Sequence, residues 1–419
     1  MQDNAGFVPL SKLAGFEMGQ SPSSSFVNDT GEGIPFLQGC AEFGALTPDA
    51  NLYCSRPLKL SAPNDVLISV RAPVGTVNKS DRTYCIGRGI AAIRFNQNVV
   101  PDFGWHLLSY WAMNLRLVAQ GTTFEAVNKS DLQSLQVFYL PKWEQCRIAE
   151  ILDTVDVAIR QTDALVAKLK LIKAGLVHDL LTRGLDSQGN LRDHDAHPEQ
   201  FKDSELGRIP KEWDIAKLGD CAFVTKLAGY EYTKYFDYSI RGEIIAIRVL
   251  NIRDGSLDLA DVQTIPRSTS RQLPRSVLRS GDLVLSYVGT IGEVALIEED
   301  ERFHLAPNVA KISVNTNCIY STFLLLQLQT DRARKNLFKL STITSQPSLS
   351  MSSLRKLPVA LPPFPEQQQI THMFESFSKR VRSEEANRDK LKAVKQGLMQ
   401  DLLTGRVRVA DARRTTGAK

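Results

Sequence analysis

An internal repeat restricts the fold of this chain more than any other feature of its sequence. Residues 144–182 read EQCRIAEILDTVDVAIRQTDALVAKLKLIKAGLVHDLLT, and residues 366–404 read EQQQITHMFESFSKRVRSEEANRDKLKAVKQGLMQDLLT. The two segments align without a gap at a constant offset of 222, and 15 of the 39 aligned positions are identical. A repeat of this length and spacing indicates that the 419 residues consist of two related halves.

Both copies of the repeat have the pattern of an amphipathic helix. Apolar residues recur at steps of three or four, which places them on one face. A helix of this length, about 58 Å, would leave that face in water if it were isolated, so each copy needs a partner. We predict that the pairing faces contain Ile148, Val155, Ile159, Leu169 and Leu176 in the first copy, and Ile370, Phe377, Val381, Leu391 and Leu398 in the second. Two-fold pseudo-symmetry favours an antiparallel pair, although residues 184–210 are long enough to allow a parallel one.

The segments before the two helices contain short runs of β-prone residues. Residues 64–69 (NDVLIS) match residues 281–286 (GDLVLS), and residues 89–93 (GIAAI) match residues 308–312 (NVAKI). Gly, Asn, Asp and Pro interrupt these runs, and helical stretches lie among them. The mixture predicts two similar α+β domains, with α/β elements intermixed and with strongly bent β-sheets.

The repeat also gives the domain organisation of the chain. We predict, in order, a first globular domain at 1–141, a helical spacer at 142–183, a linker at 184–210, a second globular domain at 211–363, a second helical spacer at 364–405 and a basic tail at 406–419. The linker is polar, and we interpret its His194 and His197 as part of a solvated segment rather than as a metal site. The expected fold is thus two globular domains separated by two long helices that form an antiparallel coiled coil.

Composition and charge exclude several classes of protein. Hydrophobic residues make up 43% of the chain and charged residues 23%, which are values of globular rather than disordered proteins. No apolar run approaches the roughly 20 residues of a membrane span, and the N-terminus has no secretory pattern. The six scattered cysteines argue against a zinc site of the usual spacing and favour reduced thiols in the cytoplasm. The net charge of +5 permits a polyanionic partner without requiring one.

The sequence lacks the motifs of common catalytic sites that act on nucleic acid. No P-loop is present, and no Asp or Glu stands two positions before a lysine, as the common restriction-nuclease core requires. Residues 361–364 (LPPF) resemble part of the adenine methyltransferase motif, but the Asn or Asp that should precede them is missing. We therefore expect a chain without a catalytic residue or a metal site of its own.

Together, the half-length repeat and its motifs resemble one family, the specificity subunits of type I restriction–modification systems. The helices carry most of the resemblance, with EQ-x-x-I near each start, KLIKAGLVHDLLTRG at 170–184 and K-x-x-KQGLMQDLLTG at 392–405. Residues 206–213 (LGRIPKEW) and 245–255 (IAIRVLNIRDG) add to it. The start of the first domain, residues 8–13 (VPLSKL), departs from the pattern because it lacks the tryptophan.

The resemblance implies a non-enzymatic function in DNA recognition. Each globular domain would be a target-recognition domain that reads one half of a bipartite, asymmetric site in double-stranded DNA. The helices would set the spacing between the halves and dock two modification (methyltransferase) subunits, and restriction subunits would join the complex. S-adenosylmethionine, ATP and Mg²⁺ would bind to those partner subunits and not to this chain. No association with a membrane is implied.

The candidate DNA contacts lie in segments rich in turn-forming residues. Base edges are read by side chains with paired donors and acceptors, such as Arg and Asn, and phosphates are bound by Lys, Arg and hydroxyl groups. In the first domain we expect contacts from Arg71, Asn78, Lys79, Arg82, Arg88, Thr122, Thr123, Asn128 and Lys129. In the second domain we expect contacts from Lys226, Tyr230, Tyr232, Lys234, Arg248, Arg253, Thr344, Ser345 and Gln346.

Two other functions compete with this interpretation. A free-standing nuclease or methyltransferase fused to its DNA reader would carry a catalytic motif, and none is found in the sequence. A coiled-coil adaptor with protein-binding globular domains would share the helices, but it would show no salt-dependent affinity for DNA. Salt-dependent DNA binding therefore separates the specificity subunit from the adaptor.

Overall fold

A computed structural model describes residues 5–115, 126–236, 238, 242–342 and 347–409. These residues divide into two compact units. Unit 1 takes its residues from Met1–Leu165 and Glu384–Lys419, and unit 2 takes them from Val166–Ser383. Each unit therefore contains one globular domain, the beginning of the long helix that follows it and the end of the other long helix.

Two long α-helices span the two copies of the repeat. Helix α3 covers Lys142–Thr182 and helix α10 covers Phe364–Leu403, where the sequence predicts spacers at 142–183 and 364–405. The shorter α-helices of the described residues are α1 (Pro101–Trp111), α2 (Lys129–Ser134), α4 (Leu218–Cys221), α5 (Gly229–Tyr235), α6 (Arg267–Gln272), α7 (Ser321–Leu328), α8 (Asp331–Leu340) and α9 (Met351–Arg355). Across these described ranges, none of the helices is both long enough and apolar enough to cross a membrane.

Unit 1 is built on two four-stranded sheets and a two-stranded pair. Its strands are β1 (Gly6–Pro9), β2 (Ala14–Met18), β3 (Val27–Asn28), β4 (Ile34–Leu37), β5 (Leu52–Cys54), β6 (Val66–Ser69), β7 (Val77–Lys79), β8 (Cys85–Ile86), β9 (Ile90–Phe95) and β10 (Gln136–Tyr139). The first sheet has the strand order β2–β9–β6–β7 and is antiparallel throughout. The second has the order β3–β5–β4–β8, in which β4 and β8 are parallel. Strands β1 and β10 form the antiparallel pair.

Unit 2 repeats this plan. Its strands are β11 (Phe201–Ser204), β12 (Gly207–Pro210), β13 (Asp214–Lys217), β14 (Ala222–Lys226), β15 (Ile244–Ile247), β16 (Ile252–Arg253), β17 (Ser256–Leu257), β18 (Gln263–Ile265), β19 (Val277–Leu278), β20 (Leu283–Ser286), β21 (Val294–Leu296), β22 (Phe303–Leu305), β23 (Val309–Val314) and β24 (Pro358–Leu361). The antiparallel sheet is β14–β23–β20–β21. The mixed sheet is β18–β15–β22–β19, with β15 and β22 parallel. Strands β13 and β24 pair as β1 and β10 do.

The strand registers confirm the prediction of two similar α+β domains. In unit 1, Val66 of β6 lies opposite Ile93 of β9. In unit 2, Leu283 of β20 lies opposite Ile312 of β23. These are the strands whose sequences match across the halves, so the weak similarity ahead of the helices reflects a shared sheet.

Both long helices take part in the hydrophobic core of each unit. In unit 1, Ile148 near the start of α3 and Leu402 at the end of α10 belong to one buried cluster with the sheet. In unit 2, Ile370 near the start of α10 and Leu180 at the end of α3 do the same. Since Ile148 aligns with Ile370 and Leu180 with Leu402 in the repeat, the two cores use the same positions.

The helix segments of unit 1 run antiparallel. Lys395 pairs with Asp156 at 2.6 Å, and Arg388 pairs with Asp163 at 3.8 Å. Residue numbers therefore rise along α3 as they fall along α10. This confirms the predicted direction for unit 1 and excludes the parallel alternative there.

The helix segments of unit 2 have the same relation. The Lys173 ammonium lies 4.4 Å from the ring centroid of Phe374. The backbone N–H of Leu185, just after α3, donates to Glu366 at the start of α10. From the first contact to the second, the residue number rises on the α3 side and falls on the α10 side, so the two helix segments run antiparallel here too.

The predicted pairing residues are turned away from solvent. Ile148, Ile159, Leu169, Ile370 and Val381 are buried, and Val155, Leu176, Phe377, Leu391 and Leu398 are partly buried. A seam between amphipathic helices needs such burial on both faces. The individual side-chain pairs along the seam stay predictions.

Residues 184–210 belong to unit 2 and do not form a solvated linker. Strands β11 and β12 pair there as an antiparallel hairpin, and Leu185 and Ile209 are buried in the core of the unit. The exposed stretch 193–200 does fit the expected picture, and its His194 and His197 each lie beside an acidic neighbour. The expectation fails because a few apolar side chains fix a segment whose composition is mostly polar.

Candidate nucleic-acid interface

Equivalent loops follow β6 in unit 1 and β20 in unit 2. The hydroxyl of Ser69 donates to the Pro73 carbonyl at 2.6 Å and accepts from the Thr76 N–H at 2.9 Å. The hydroxyl of Ser286 makes the corresponding two bonds in unit 2, accepting from the Glu293 N–H at 2.9 Å. A serine at the end of each strand thus folds the following loop into the same turn.

A second segment lies beside each of these loops. In unit 1, Arg71 forms a β-bridge with Ala126, and in unit 2, Val288 forms one with Ser348. We call the two surfaces tips. Tip 1 consists of residues 70–76 with 126–129, and tip 2 consists of residues 287–293 with 347–351.

Each tip includes the capped start of a short helix. The Asn128 side-chain oxygen accepts from the Asp131 N–H at 3.1 Å before α2. The Ser350 hydroxyl accepts from the Ser353 N–H at 2.9 Å before α9. These caps hold the first helical residue, Lys129 or Met351, next to the loop.

The two tips share a backbone plan but carry different side chains. Arg71 and Lys129 of tip 1 are exposed cations. The corresponding residues of tip 2, Val288 and Met351, are apolar and partly buried. One scaffold therefore presents two chemically different surfaces, one in each unit.

Arg82 and Arg88 add exposed cations to the first domain. Two hydrogen bonds of 3.1 and 3.2 Å tie Arg82 to Asp81, which also accepts a 2.5 Å bond from the Tyr84 hydroxyl. Burial, together with that bond, raises the pKa of Tyr84 to about 12. Arg82 thus serves a local network, whereas no ion pair among the described residues engages Arg88, which is the better candidate for a DNA contact.

The structure corrects the expectation for Asn78 and weakens the one for Lys79. Asn78 is 2% exposed, and its amide donates to the Gly44 carbonyl at 2.8 Å. Because β7 pairs along β6, this side chain points inward and cannot reach a base edge. The Lys79 ammonium pairs with Asp102 at 2.8 Å and lies 5.5 Å from the ring centroid of Trp105, so its charge is already used.

Some predicted contacts cannot be placed, and one has another function. Thr122, Thr123, Thr344, Ser345 and Gln346 lie outside the described residues. The side chain of Asn128 caps α2, as described above, and the residue is exposed. The cap uses only the side-chain oxygen, so the amide NH₂ group of Asn128 is still able to donate to DNA.

The tyrosine-rich segment of the second domain forms the short helix α5. Tyr230 is 69% exposed, and the exposed Tyr232 packs against Phe236 with 5.5 Å between ring centroids. Lys234 lies 4.9 Å from the ring centroid of Tyr235, and a hydrogen bond with Tyr235 raises the pKa of its ammonium. Helix α5 therefore offers aromatic faces and a cation to solvent.

Buried Glu231 fixes α5 on the domain. Its carboxylate accepts from the Ala228 N–H at 2.9 Å and lies 3.3 Å from the Arg275 guanidinium. Before the helix, the exposed Lys226 lies 5.0 Å from the ring centroid of Tyr287, a residue of tip 2. Lys226 thus brings the start of the α5 segment against tip 2.

Arg248 and Arg253 differ in their freedom to bind DNA. Arg248 donates to the Asp261 carbonyl at 2.9 Å and pairs with the carboxylate of the same residue at 3.2 Å. Arg253 has a side chain that is 73% exposed, with a looser contact of 3.9 Å to Asp258. Arg248 therefore closes the loop before β18, and Arg253 is the better candidate.

Comparison with known protein families identifies the class of this chain. Residues 13–171 and 210–393 match the family model described as the type I restriction modification DNA specificity domain. The chain belongs to this family. Each match runs from a globular domain into a long helix, so the DNA specificity domain occurs twice.

Three type I specificity subunits show the extent of the similarity. The putative type I restriction enzyme MjaX specificity subunit of Methanocaldococcus jannaschii is 42% identical over 39% of this chain and 39% of its own length. The MjaVIII specificity subunit of the same organism is 26% identical over 70% of this chain and 67% of its own. The EcoBI specificity subunit of Escherichia coli is 25% identical over 88% and 78%, respectively. The alignment with the MjaX subunit thus spans about two fifths of that relative.

Two solved structures share the fold of this DNA specificity domain protein. The S subunit of the type I restriction-modification system from M. genitalium has a TM-score of 0.58 at 15% identity and covers 96% of both chains. A chain from a structural study of assembly and conformational transition of the type I R-M system has a TM-score of 0.57 at 15% identity. It covers 96% of this chain and 98% of that one. At these identities the likeness concerns the fold alone.

The Glu–Gln pair that begins each copy of the repeat anchors the specificity-domain helices. The Gln145 amide donates to the Leu140 carbonyl at 2.7 Å and accepts from the Val100 N–H at 2.8 Å. The Gln367 amide makes the equivalent bonds, to the Pro362 carbonyl and the Tyr320 N–H. In the sequence this pair stands out only as two identical positions of the repeat, and nothing there tells which groups the side chains bond.

Proposed function

We propose that this chain is the DNA sequence-specificity subunit of a type I restriction–modification complex. Its two globular domains read the two halves of a bipartite, asymmetric site in double-stranded DNA. The observation that carries this proposal is the pair of tips, which share one backbone plan and differ in side chains. Because the readers differ, the two half-sites differ, and no palindrome is required.

The chemistry of the candidate surfaces fits different half-sites. Arg71 can form two hydrogen bonds to the edge of a guanine, and Lys129 suits a phosphate. In the second domain, Tyr230 and Lys234 of α5 offer an exposed aromatic face and a cation, and Val288 and Met351 of tip 2 are apolar. The first domain thus reads chiefly through charge, and the second adds contacts to apolar base surfaces.

The long helices act as the spacer between the two readers. Each of them begins in the core of one unit and ends in the core of the other, so its length fixes the number of unread base pairs. Leu165, Leu171 and Ile172 of α3 are exposed although they are apolar. Such side chains suit the docking of two modification subunits.

In this proposal the chemistry belongs to the partners. Modification subunits bind S-adenosylmethionine and methylate adenine, and restriction subunits use ATP and Mg²⁺ to move along DNA and cleave it. This chain selects the sequence without catalysing a step. The complex acts in the cytoplasm, where bacterial and archaeal DNA lies.

Mapping of methylated adenines over the whole genome tests the proposal. We expect one bipartite motif that disappears when the gene is deleted and returns when it is restored. Replacing residues 211–363 with the second domain of another specificity subunit should change only one half of the motif. A methylation pattern that is unchanged by deletion would refute the proposal.

Salt dependence separates this function from that of a protein-binding adaptor. When the chain is assembled with its modification subunits, the logarithm of its binding constant for cognate DNA should fall linearly with the logarithm of the salt concentration, since bound phosphates release counterions. An adaptor would bind its partners without this dependence. Binding that is indifferent to the DNA sequence at every salt concentration would also contradict the proposal.

A further inference from the structure

Two cysteines of unit 2 lie in direct contact. Cys221 is the last residue of α4, and Cys318 lies in the turn before α7. The Cys318 thiol donates to the Cys221 sulfur across 3.2 Å. A disulfide needs about 2.05 Å, so the two sulfur atoms must approach each other by only about 1.2 Å.

The backbone already holds the two segments together. The Asn315 N–H donates to the Cys221 carbonyl at 2.8 Å, and the Cys318 N–H donates to the Asn315 carbonyl at 2.8 Å. The turn that carries Cys318 is therefore fastened to the residue that it must reach.

The pair is reachable from solvent on one side. Cys221 is 1% exposed, whereas Cys318 is only partly buried. An open cavity of about 460 Å³, lined among others by Asp220, Asn315 and Arg355, lies beside Cys221. Because Cys318 has the larger exposed fraction, a small oxidant meets its thiol first, and Cys221 is in place to resolve the product. Burial and the neighbouring thiol raise the pKa of Cys221 to about 12, so this thiol stays protonated near neutral pH and is not the one that reacts first with the oxidant.

We propose that Cys221 and Cys318 form a reversible disulfide when the cell meets a peroxide. The Cys318 thiol reduces the peroxide, gaining one oxygen as a sulfenic acid and releasing water. The Cys221 sulfur then attacks that sulfur, a second water leaves, and the S–S bond forms. In sum, two thiols lose two hydrogens and two electrons to one peroxide, and a cellular thiol reverses the reaction by exchange.

The position of the pair links it to the second long helix. The Cys318 carbonyl accepts from the Gln367 amide at 3.2 Å, and the Tyr320 N–H donates to the same amide at 3.1 Å. The turn around Cys318 thus anchors α10. Oxidation would link this turn covalently to Cys221, which directly precedes β14. In unit 1 the equivalent carbonyl, which accepts from Gln145, belongs to Asn98, so the device is confined to unit 2.

Mass spectrometry of the full-length chain tests the proposal. Because Cys146 is exposed and could link two molecules, the experiment uses Cys146→Ser as its starting variant. After hydrogen peroxide treatment of the folded protein, we expect a loss of about 2 Da and a proteolytic peptide in which Cys221 and Cys318 are joined. Dithiothreitol should restore the original mass.

Matched variants make the outcome specific. Cys318→Ser and Cys221→Ser in the same background should each abolish the loss of 2 Da and the linked peptide, and Cys40→Ser should leave both unchanged. A folded protein that yields no linked peptide, or one linking the buried Cys54 and Cys85 instead, overturns the proposal.

A melting experiment gives a second readout. The disulfide would close a loop of about a hundred residues, so oxidation should raise the melting temperature by about 5 °C or more. The Cys318→Ser variant should show no such shift. A shift of equal size in that variant would mean that oxidation acts elsewhere and would contradict the proposal.

Discussion

Arg408 holds Glu144 with two parallel hydrogen bonds, from Nε to Oε1 at 2.8 Å and from Nη2 to Oε2 at 2.7 Å. The Glu144 side chain is 1% exposed, and the Val409 N–H adds a third bond at 3.2 Å. Glu144 lies in the first turn of α3, and Arg408 follows the end of α10. The residues after α10, expected from the sequence to be only a basic tail, thus lock the two helix ends of unit 1.

Unit 2 contains the same relationship with a different arginine. Glu366, which aligns with Glu144 in the repeat, accepts from Arg192 at 2.7 Å and from the Leu185 N–H at 2.7 Å. Both donors come from the segment after α3. A buried glutamate at the start of one long helix therefore receives the chain that leaves the other helix, in each unit.

Removing Arg408 should destabilise unit 1. The variant Arg408→Ala leaves the buried carboxylate of Glu144 without its cation, and we expect the free energy of unfolding to fall by about 2 kcal/mol. Urea titration followed by tryptophan fluorescence measures it. Arg406→Ala is the control, because its pair with Asp401 is exposed and should contribute less than about 0.5 kcal/mol. Equal losses in the two variants would contradict this account.

Removing Arg192 should cost unit 2 more. The side chains of Arg192 and Glu366 are each only 7% exposed, so Arg192→Ala should lower the free energy of unfolding by about 4 kcal/mol. Replacing both residues with Leu should recover part of that loss, since no unpaired charge is then buried. The control is Glu212→Gln, which removes the exposed partner of Arg192. The explanation would be wrong if the double replacement lowered the free energy of unfolding by more than the two single replacements with Leu do together.

The sequence predicts the helices because their pattern is local. Steps of three and four from Ile148 or Ile370 need no knowledge of the rest of the fold. The match of residues 64–69 with 281–286 likewise finds the shared sheet, since a buried strand preserves its apolar run. Pseudo-symmetry then adds the antiparallel direction of the helices.

The errors concern properties that depend on distant partners. Arg192 is buried against a carboxylate, that of Glu366, which lies 174 residues further along the chain. Composition cannot reveal a pairing between residues so far apart in the sequence. Asn78 has the chemistry of a base contact, but strand alternation turns it inward, and the sequence does not fix which face of β7 is buried. The correspondence between Arg71 and Val288 likewise emerges only from the β-bridges that the two residues form.

Arg71 should contribute to the recognition of one half-site only. In the assembled complex, we expect Arg71→Ala to weaken binding of cognate DNA by about 5- to 150-fold and to relax specificity within the half read by the first domain. Binding at fixed salt to DNA altered in one half or the other measures both effects.

The control for this prediction is Lys12→Ala. Lys12 is exposed, and its carbonyl binds Asn96 at the end of β9 that lies away from tip 1. The variant Lys12→Ala should leave the affinity for cognate DNA and the specificity for both half-sites unchanged. Equal loss of affinity in the two variants, or loss of specificity in the other half-site, would exclude Arg71 as a base contact.

Lengthening both long helices should lengthen the unread spacer. Seven residues inserted after Leu165 and after Ser383, where the units divide, keep the heptad phase and extend each helix by about 10.5 Å. At about 3.4 Å per base pair, methylation mapping should then find the same half-sites about three base pairs further apart. A seven-residue insertion in the loop at Ser187 is the control and should leave the spacing unchanged. An altered half-site sequence would contradict the assignment of the helices as a spacer.

Stability should fall in mild acid because His106 is buried in unit 1. Burial lowers the pKa of His106, and its bond to Asp153 at 2.9 Å offsets this only in part. The unfolded chain therefore binds this proton more readily. The contribution of His106 is complete above its unfolded pKa of about 6.5 and is lost as the pH falls from there through the folded pKa. In that window, the free energy of unfolding should change with pH by at most about 1.4 kcal/mol per pH unit for this group.

Urea titrations between pH 7.5 and 5 test this effect of His106. The free energy of unfolding should depend less steeply on pH in His106→Asn than in the unaltered chain. His178→Gln, at an exposed position of α3, should keep the original slope, and a slope that changes equally in both variants would rule out burial of His106 as the cause.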